Sequence, residues 1–416
     1  MLKTVLFYLL LGMSFAIAAS ETPQVTHYET QVSFNNEAGG LQVDSRLVIP
    51  STSLKNNTAS LFLHKDFAIS HISGDTLEDY TVSVSEIVPV WSVITLQFSG
   101  DTPMHEIDIS YSGLIDAEAG HGNYIDNQSI HLSIDSGWHP VFADFSTPIQ
   151  GTLHVELPAD WKLYGPGKVR QTDKGLQLIS EQPTIDVAIY ATSQGKQAVD
   201  KGFTVVYDTE NEDHAGALAS MGNECLISLN TKFAATDTTN RLDSATLVLL
   251  DRTGPSFARS SYLSVTSELL VNEQQSYHYI CHELAHHWTE FGDPMSHHYW
   301  MVESFAEYVA AREVRQKFGL ESYEAVVADW KQRAQGHDFV WKADVKERAP
   351  AMVNYALGPL LLKKLEQKIG DESFNQLLDG YMTTPLTETE ALLAELEQLT
   401  SKETRQWFEQ VLGGDF

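Results

Sequence analysis

The helical segment Ser276–Trp288 constrains this chain more than any other stretch of its sequence. It contains neither proline nor glycine, and its apolar residues recur at three- and four-residue steps, a pattern that predicts an amphipathic helix. Within it, His282 and His286 are four residues apart, so they lie on one face of the helix, one turn from each other. Neutral imidazole nitrogens at that spacing are suited to binding one Zn²⁺. The alternative is a helix whose histidines are ordinary polar groups beside a core.

Glu283 completes the pattern His-Glu-x-x-His. It lies roughly 100° around the helix from His282, which places it to reach a water molecule beside the metal rather than the metal itself. A carboxylate in that position acts as a general base in hydrolysis. The segment therefore predicts a hydrolytic zinc site.

A third ligand is expected from Trp300–Tyr308, a helical run with two carboxylates four residues apart, Glu303 and Glu307. Catalytic zinc sites often combine two histidines with one glutamate. The other carboxylate would lie one turn away and could accept a hydrogen bond from a ligand imidazole. The residues alone do not decide which glutamate has which role, and two solvated surface acids are the alternative. A third histidine six residues after His286 is excluded, because Gly292 occupies that position.

The two halves of the chain differ in pattern. The first half contains short runs rich in β-branched and aromatic residues, bounded by turn residues, which predicts an antiparallel β sandwich or saddle. After the polar stretch Ser193–Gly202 helical patterning dominates, and a helix over His214–Phe233 is expected to break near Gly222. We therefore expect an α+β multidomain chain, with a β-rich N-terminal domain at residues 19–200 and a mostly helical domain at residues 201–416.

The first 18 residues have the form of a secretory signal peptide. Lys3 precedes a short apolar run, and Ala16-Ile17-Ala18 supplies the small residues that cleavage requires. The run is short for an uncleaved membrane anchor. We expect a periplasmic or extracellular protein with no stable membrane anchor after cleavage.

Charge and cysteine content narrow the range of partners. Acidic residues outnumber basic ones 56 to 27, and the formal net charge is −29. Such a chain is repelled by nucleic acid and by anionic membranes, so neither is an expected partner. Cys225 and Cys281 are too few to form a disulfide framework. Cys281 is expected to pack as a small apolar residue; whether the two pair, and the oligomeric state, are left open.

Three stretches match the motifs of one family. Residues 282–288 read H-E-L-A-H-H-W, residues 302–308 read V-E-S-F-A-E-Y, and residues 355–358 read Y-A-L-G. They resemble the H-E-L-A-H-x-W, N-E-G-F-A-x-Y and Y-x-K-G motifs of the alanyl aminopeptidase (aminopeptidase N) / leukotriene-A4 hydrolase family of gluzincin zinc metallopeptidases. The resemblance implies a saddle-shaped β domain followed by a thermolysin-like catalytic domain.

The resemblance also implies roles for individual residues. It makes Glu303 the third zinc ligand, because the F-A-x-Y residues set the register. It implies that Glu307 instead accepts a hydrogen bond from a ligand histidine. Tyr355 corresponds to the family's catalytic tyrosine, which donates a hydrogen bond to the oxyanion. One Zn²⁺ per chain is expected, bound by His282, His286 and Glu303, with Glu283 as the base and a peptide or protein as the substrate.

The chain also departs from the family pattern. The family strand that carries Gly-Ala-Met-Glu-Asn, whose glutamate binds the free amine of the substrate, corresponds to Gly254–Val265, which has no carboxylate and contains Arg259. Leu357 replaces the lysine of Y-x-K-G, and the family's C-terminal helical domain is not expected, so the chain would be a short form. An aminopeptidase-like enzyme is the first expectation. The alternatives are an endopeptidase-like or glycyl-aminopeptidase-like enzyme that needs no free amino terminus, and a non-catalytic binding protein on a peptidase scaffold.

Overall fold

Strands occupy the first half of the chain, where apolar and polar residues alternate. The computed structural model describes residues 25–115, 122–180, 182–208, 212–234, 240–251, 256–267, 272–289, 292–384 and 386–415. The predicted signal peptide lies outside these residues. The strands of the first half are β1 (Thr26–Asn35), β2 (Gly40–Pro50), β3 (Thr58–His64), β4 (Ala68–Ser73), β5 (Leu77–Val84), β6 (Trp91–Phe98), β7 (Met104–Leu114), β8 (Tyr124–Ile125), β9 (Ser129–Leu132), β10 (Val141–Phe142), β11 (Ile149–Glu156), β12 (Lys162–Tyr164), β13 (Lys168–Thr172), β14 (Gly175–Ile179) and β15 (Ile189–Thr192).

These strands form a sandwich around one core. The largest sheet has the order β13-β14-β11-β1-β2-β7-β4, and its neighbours are antiparallel except for the parallel pair β1–β11. Buried and exposed residues alternate along β1, as expected for a strand with one face on a core. Val32, Val43 and Ile109 of this sheet share a cluster with Leu61 and Ile94 of the sheet β10-β3-β6-β5. A third sheet has the order β12-β15-β9-β8. The expected β domain is confirmed.

The second half combines one sheet with helices. Its strands are β16 (Lys196–Asp200), β17 (Phe203–Tyr207), β18 (Ala245–Leu250), β19 (Phe257–Arg259) and β20 (Tyr262–Thr266), in the order β16-β17-β18-β20-β19. The inner three strands are parallel, whereas both edge strands are antiparallel to their neighbours. The hairpin of β16 and β17 spans residue 200, the predicted domain boundary.

Helices follow, so the expected α+β architecture with a mostly helical second domain is confirmed. They are α1 (Glu212–Phe233), α2 (Glu273–Thr289), α3 (Trp300–Phe318), α4 (Leu320–Arg333), α5 (Gly358–Ile369), α6 (Asp371–Thr383), α7 (Thr389–Leu399) and α8 (Lys402–Leu412), with a π-helical turn at Val353–Leu357 before α5. None of those within the described ranges is both long and apolar enough to cross a membrane.

Helices α2 and α3 pack together in the core of the second half. Helix α3 is buried along most of its length, where the small residues Ala306, Ala310 and Ala311 allow neighbouring elements to approach closely. Leu284 and Ala285 of α2 belong to the same apolar cluster. This packing holds the His-Glu-x-x-His helix against the helix that carries Glu303 and Glu307.

Two local expectations are wrong. Helix α1 runs through Gly222 without a break. A Cβ atom at that position would lie 2.3 Å from the ring of Phe203, so the glycine is needed for the close approach of α1 to β17. Cys281 is buried as expected but is not a free apolar side chain, because it forms a disulfide with Cys225 that joins α1 to α2.

Candidate active site

Three side chains from α2 and α3 converge on one point. His282 Nε2 and His286 Nε2 lie 3.2 Å apart, and Glu303 Oε2 is 3.4 Å from each of them. These are the only three His, Cys, Asp or Glu side chains within the described ranges whose ligand atoms cluster closely enough to hold one metal ion. The helical spacing of the histidines and the packing of α3 on α2 produce this triangle.

The triangle has the size that zinc requires. Ligand atoms about 2.0–2.1 Å from a tetrahedral zinc ion are separated from one another by roughly 3.3 Å, and the three separations in this structure are 3.2, 3.4 and 3.4 Å. Glu303 Oε2 is buried and has no hydrogen-bond partner. A buried carboxylate oxygen facing two imidazole nitrogens is costly unless a cation satisfies it. The residues therefore fit a zinc ion.

Outer hydrogen bonds orient the three ligand groups. His282 Nδ1 lies 3.0 Å from Glu307 Oε2; because the carboxylate can only accept, Nδ1 carries the proton and Nε2 presents its lone pair to the cluster. His286 Nδ1 is hydrogen-bonded to Thr289 Oγ1 at 3.1 Å. The Tyr299 hydroxyl donates to Glu303 Oε1 at 2.7 Å, which leaves Oε2 for the metal. Such bonds set the ring orientation and raise ligand affinity.

Glu307 is the acceptor at the centre of a second layer of contacts. Its Oε1 accepts a hydrogen bond from Trp330 Nε1 at 2.7 Å. Burial on its own would raise the pKa of Glu307, but His278, His282 and the bond from Trp330 hold that pKa at about 2. The group is therefore a carboxylate at neutral pH.

The buried histidines and carboxylates of this cluster shift one another's pKa values. Burial opposes a charge on His282, yet the carboxylates of Glu303 and Glu307 outweigh it and place the pKa of His282 well above its ordinary value. Burial likewise opposes a charge on Glu303, but His286 and His282 hold the pKa of Glu303 well below its ordinary value. The carboxylates of Glu303 and Glu307 thus favour a positive charge at this point, which a metal ion would supply in place of the additional proton on His282.

Glu283 and Tyr355 complete the set of predicted residues. Both line the cleft that contains the three ligands. Burial raises the pKa of Glu283, and His282 and His286 oppose this only in part. Tyr355 lies in the π-helical turn, with its ring centroid 5.7 Å from that of His282. Burial and the charge of Glu303 raise the pKa of Tyr355, so its hydroxyl stays protonated and can donate.

The cleft has a volume of about 990 Å³ and is lined by both halves of the chain. Val88, Trp91 and Phe145 of the β domain contribute an apolar part of its wall. Arg259 of β19 also lines it and pairs with the buried Asp186 of the first half, Nε to Oδ2, at 3.3 Å. The cleft is large enough for several residues of an extended peptide.

Three contacts at the site were not predicted from the sequence: those of Thr289, Tyr299 and Trp330. Tyr299 stands four residues before Glu303, so helical spacing places both on one face and could have revealed the pair. Trp330 comes from α4, a separate helix, and Thr289 ends α2; neither belongs to a motif. No local sequence signal indicates their partners.

Other histidines near the motif are bonded elsewhere. His287 Nε2 lies 3.1 Å from the carbonyl oxygen of Asn240. His298 Nδ1 lies 3.0 Å from Thr389 Oγ1. Neither belongs to the cluster of ligand atoms.

Comparison with solved structures identifies the architecture. An M1 zinc metallopeptidase from Deinococcus radiodurans superposes with a TM-score of 0.69 at 18% sequence identity, over 93% of each chain. The chain has the fold of an M1 zinc metallopeptidase. A substituted form of the Deinococcus protein bound to a Tyr-Ser-Ala substrate matches with the same TM-score, over 94% of each chain. Native leukotriene-A4 hydrolase from yeast matches with a TM-score of 0.71 at 15% identity, over 93% of this chain and 66% of the yeast protein. No protein-family model and no curated protein sequence matches the chain. The expected resemblance to the aminopeptidase N / leukotriene-A4 hydrolase gluzincins is thus confirmed in the fold.

Proposed function

We propose that this protein is a zinc-dependent peptidase. The observation that carries the proposal is the triangle of His282 Nε2, His286 Nε2 and Glu303 Oε2, whose edges of 3.2–3.4 Å match the tetrahedral coordination of one zinc ion. When bound, zinc would supply Lewis acidity to the scissile carbonyl and to the attacking water. The M1 fold supports the same chemistry.

Glu283 moves the proton in this mechanism. Its carboxylate accepts a proton from the attacking water and delivers it to the nitrogen of the departing amine. Burial raises the pKa of Glu283 above the usual value for a glutamate. A higher pKa makes the carboxylate a stronger base while leaving it able to release the proton again.

Tyr355 stabilises the oxyanion. Because its pKa is raised, the hydroxyl remains a hydrogen-bond donor at any physiological pH. A donor aimed at the carbonyl oxygen strengthens its interaction as negative charge develops there in the transition state. The π-helical turn at Val353–Leu357 carries this side chain into the cleft.

The decisive experiment replaces Glu283 by Gln. We expect the variant to retain one zinc per chain and to lose peptide hydrolysis, because the ligands remain and the base is removed. Glu273→Gln is the matched control, since Glu273 is an exposed carboxylate on the same helix and does not line the cleft. A metal-free wild-type protein that hydrolyses no peptide would contradict the proposal and favour a non-catalytic binding protein. Unchanged hydrolysis in Glu283→Gln would contradict the role of Glu283 as the base.

The more specific activity that we propose is that of an aminopeptidase-like enzyme. One observation favours the alternative, a peptidase that does not require a free amino terminus on its substrate. A neighbour of the same fold binds a Tyr-Ser-Ala substrate, which supports a small peptide as the substrate class. The described part of the β19–β20 hairpin, however, carries no carboxylate that could bind a free amine, and at the cleft it presents Arg259, which is paired with Asp186. Hydrolysis of one peptide with a free and with an acetylated amino terminus distinguishes the two activities. Equal rates would remove the aminopeptidase assignment.

We also propose that the protein acts in the periplasm or outside the cell. The signal-like residues 1–18 and the disulfide between Cys225 and Cys281 support this location, because disulfides persist in oxidising compartments. Determination of the amino terminus of the mature protein tests it. We expect cleavage after Ala18; an intact Met1 in a cytoplasmic fraction would contradict the location.

A further inference from the structure

Arg348 is an exposed arginine on the wall of the cleft. Its guanidinium carbon lies 4.5 Å from the centroid of the Tyr299 ring. The hydroxyl of that tyrosine donates to Glu303 Oε1, so the arginine lies one side chain away from a predicted zinc ligand. A guanidinium group that lies over an aromatic face is attracted to the ring, and this contact restricts the orientation of the guanidinium plane.

Arg348 differs from the other arginines of the cleft in its partners. Arg259 pairs with Asp186, and Arg333 pairs with Asp329. Arg348 forms no ion pair or hydrogen bond with any residue in the described ranges; the Tyr299 ring is its contact there. In a chain of net charge −29, an arginine without a carboxylate partner inside a cleft has its donors available to a ligand.

Two arginines of the cleft wall, Arg348 and Arg259, lie close enough to Tyr299 to interact electrostatically with its side chain. Two guanidinium groups therefore act on the same side chain at the edge of the zinc cluster. An anionic group of a substrate would be attracted to this point.

We propose that Arg348 is a specificity-determining residue that binds a carboxylate of the peptide substrate beside Tyr299. This inference rests on the proposed peptidase function and names a substrate class for it: peptides with a carboxylate close to the scissile bond. The planar guanidinium can bind a carboxylate through two parallel hydrogen bonds. The carboxylate could belong to an Asp or Glu side chain or to the carboxy terminus of a short peptide, and the two sources share the same chemistry.

The test compares matched peptides. Each member of a pentapeptide series carries Glu or Gln at one position, and each is made with a free or an amidated carboxy terminus. We expect the wild-type kcat/KM to favour the carboxylate at one position by about tenfold, as for one charge-assisted pair in a cleft. A preference for Glu over Gln identifies a side-chain carboxylate; a preference for the free terminus over the amide identifies the terminal one.

Variants assign the preference to Arg348. Arg348→Gln should reduce the kcat/KM ratio of the carboxylate peptide to its neutral counterpart to about one. Arg348→Glu should reverse the charge preference, so that a peptide with Lys at the same position is cleaved faster than one with Gln. Lys402→Gln is the control, because it removes one positive charge from an exposed site outside the cleft; the ratio should not change. A wild-type ratio of one at every position, or a ratio unaffected by Arg348→Gln, would overturn the inference.

Binding measurements separate this inference from the proposed function. Calorimetric titration of Glu283→Gln with the same Glu and Gln peptides reports the carboxylate preference without hydrolysis. If the wild-type protein cleaves none of the peptides but Glu283→Gln binds the Glu form more tightly, the peptidase proposal fails and the carboxylate site stands. If the peptides are cleaved but neither the kcat/KM ratio nor the affinity ratio of the Glu and Gln peptides departs from one, the peptidase proposal stands and the carboxylate site fails.

Discussion

Replacement of Glu307 by Gln tests the outer layer of the metal site. Glu307 Oε2 accepts a hydrogen bond from His282 Nδ1 at 3.0 Å, and Oε1 accepts one from Trp330 Nε1 at 2.7 Å. Glutamine has a single acceptor oxygen, so one of these two donors must face an amide N–H instead. If the amide oxygen remains with His282, that bond still loses the charge of the acceptor.

The expected loss follows from these contacts. Removal of the partner behind a zinc-binding histidine lowers metal affinity by about 10- to 100-fold, which corresponds to about 1.4–2.7 kcal/mol of binding free energy. Competition with a chromophoric chelator measures the zinc dissociation constant directly. Glu313→Gln is the matched control, since Glu313 is a buried acid on the same helix, α3, that pairs with Lys232 outside the cleft.

Comparison of Glu307→Gln with Glu313→Gln separates an effect on zinc affinity from an effect on stability. We expect both to lose stability, because each removes a buried charge from its partner, but only Glu307→Gln to lose zinc affinity. Thermal unfolding with saturating zinc reports the first effect, and chelator competition the second. A zinc dissociation constant within twofold of wild type in Glu307→Gln would refute the role assigned to this carboxylate.

Three further predictions concern catalysis, stability and pH. Tyr355→Phe should lower kcat by about 100-fold with little change in KM or zinc content, because one oxyanion donor is lost; steady-state kinetics and metal analysis measure this. Cys225→Ala with Cys281→Ala should lower the free energy of unfolding in urea by about 2–4 kcal/mol, since the disulfide closes a loop with a sequence separation of 56; equal urea midpoints would contradict this. Burial, opposed by Arg259, raises the pKa of Asp186 from 3.8 to about 6. The native state therefore binds a proton that the unfolded chain releases near pH 4, so the contribution of Asp186 to stability should fall between about pH 4 and pH 6. The difference in stability between wild type and Asp186→Asn should change over that range by this contribution; a difference in thermal melts that does not vary with pH would contradict the assignment.

The residues that we propose to bind zinc could be predicted because the sequence places them in two regular helices. Spacing alone sets His282 and His286 on one face, and it sets Glu303 and Glu307 one turn apart on the next helix. Which glutamate faces the two histidines did not follow from spacing. The resemblance to gluzincins gave Glu303 the ligand role, and in the structure Glu303 Oε2 faces both imidazoles while Glu307 lies behind His282.

The remaining contacts depend on tertiary packing. Trp330, which donates a hydrogen bond to Glu307, lies 23 residues further along the chain on another helix. No local sequence pattern predicts that contact. The pairing of Cys225 with Cys281 requires α1 to pack on α2, which two isolated cysteines cannot indicate. Gly222 was expected to interrupt a helix on intrinsic propensity, but the close approach of Phe203 decides its role.

Anomalous diffraction from crystals of the purified protein at the zinc absorption edge tests the central proposal most directly. We expect one strong peak per chain among His282 Nε2, His286 Nε2 and Glu303 Oε2, at about 2.0–2.2 Å from each. The absence of a peak in zinc-supplemented crystals, or a peak bound by other residues, would contradict it.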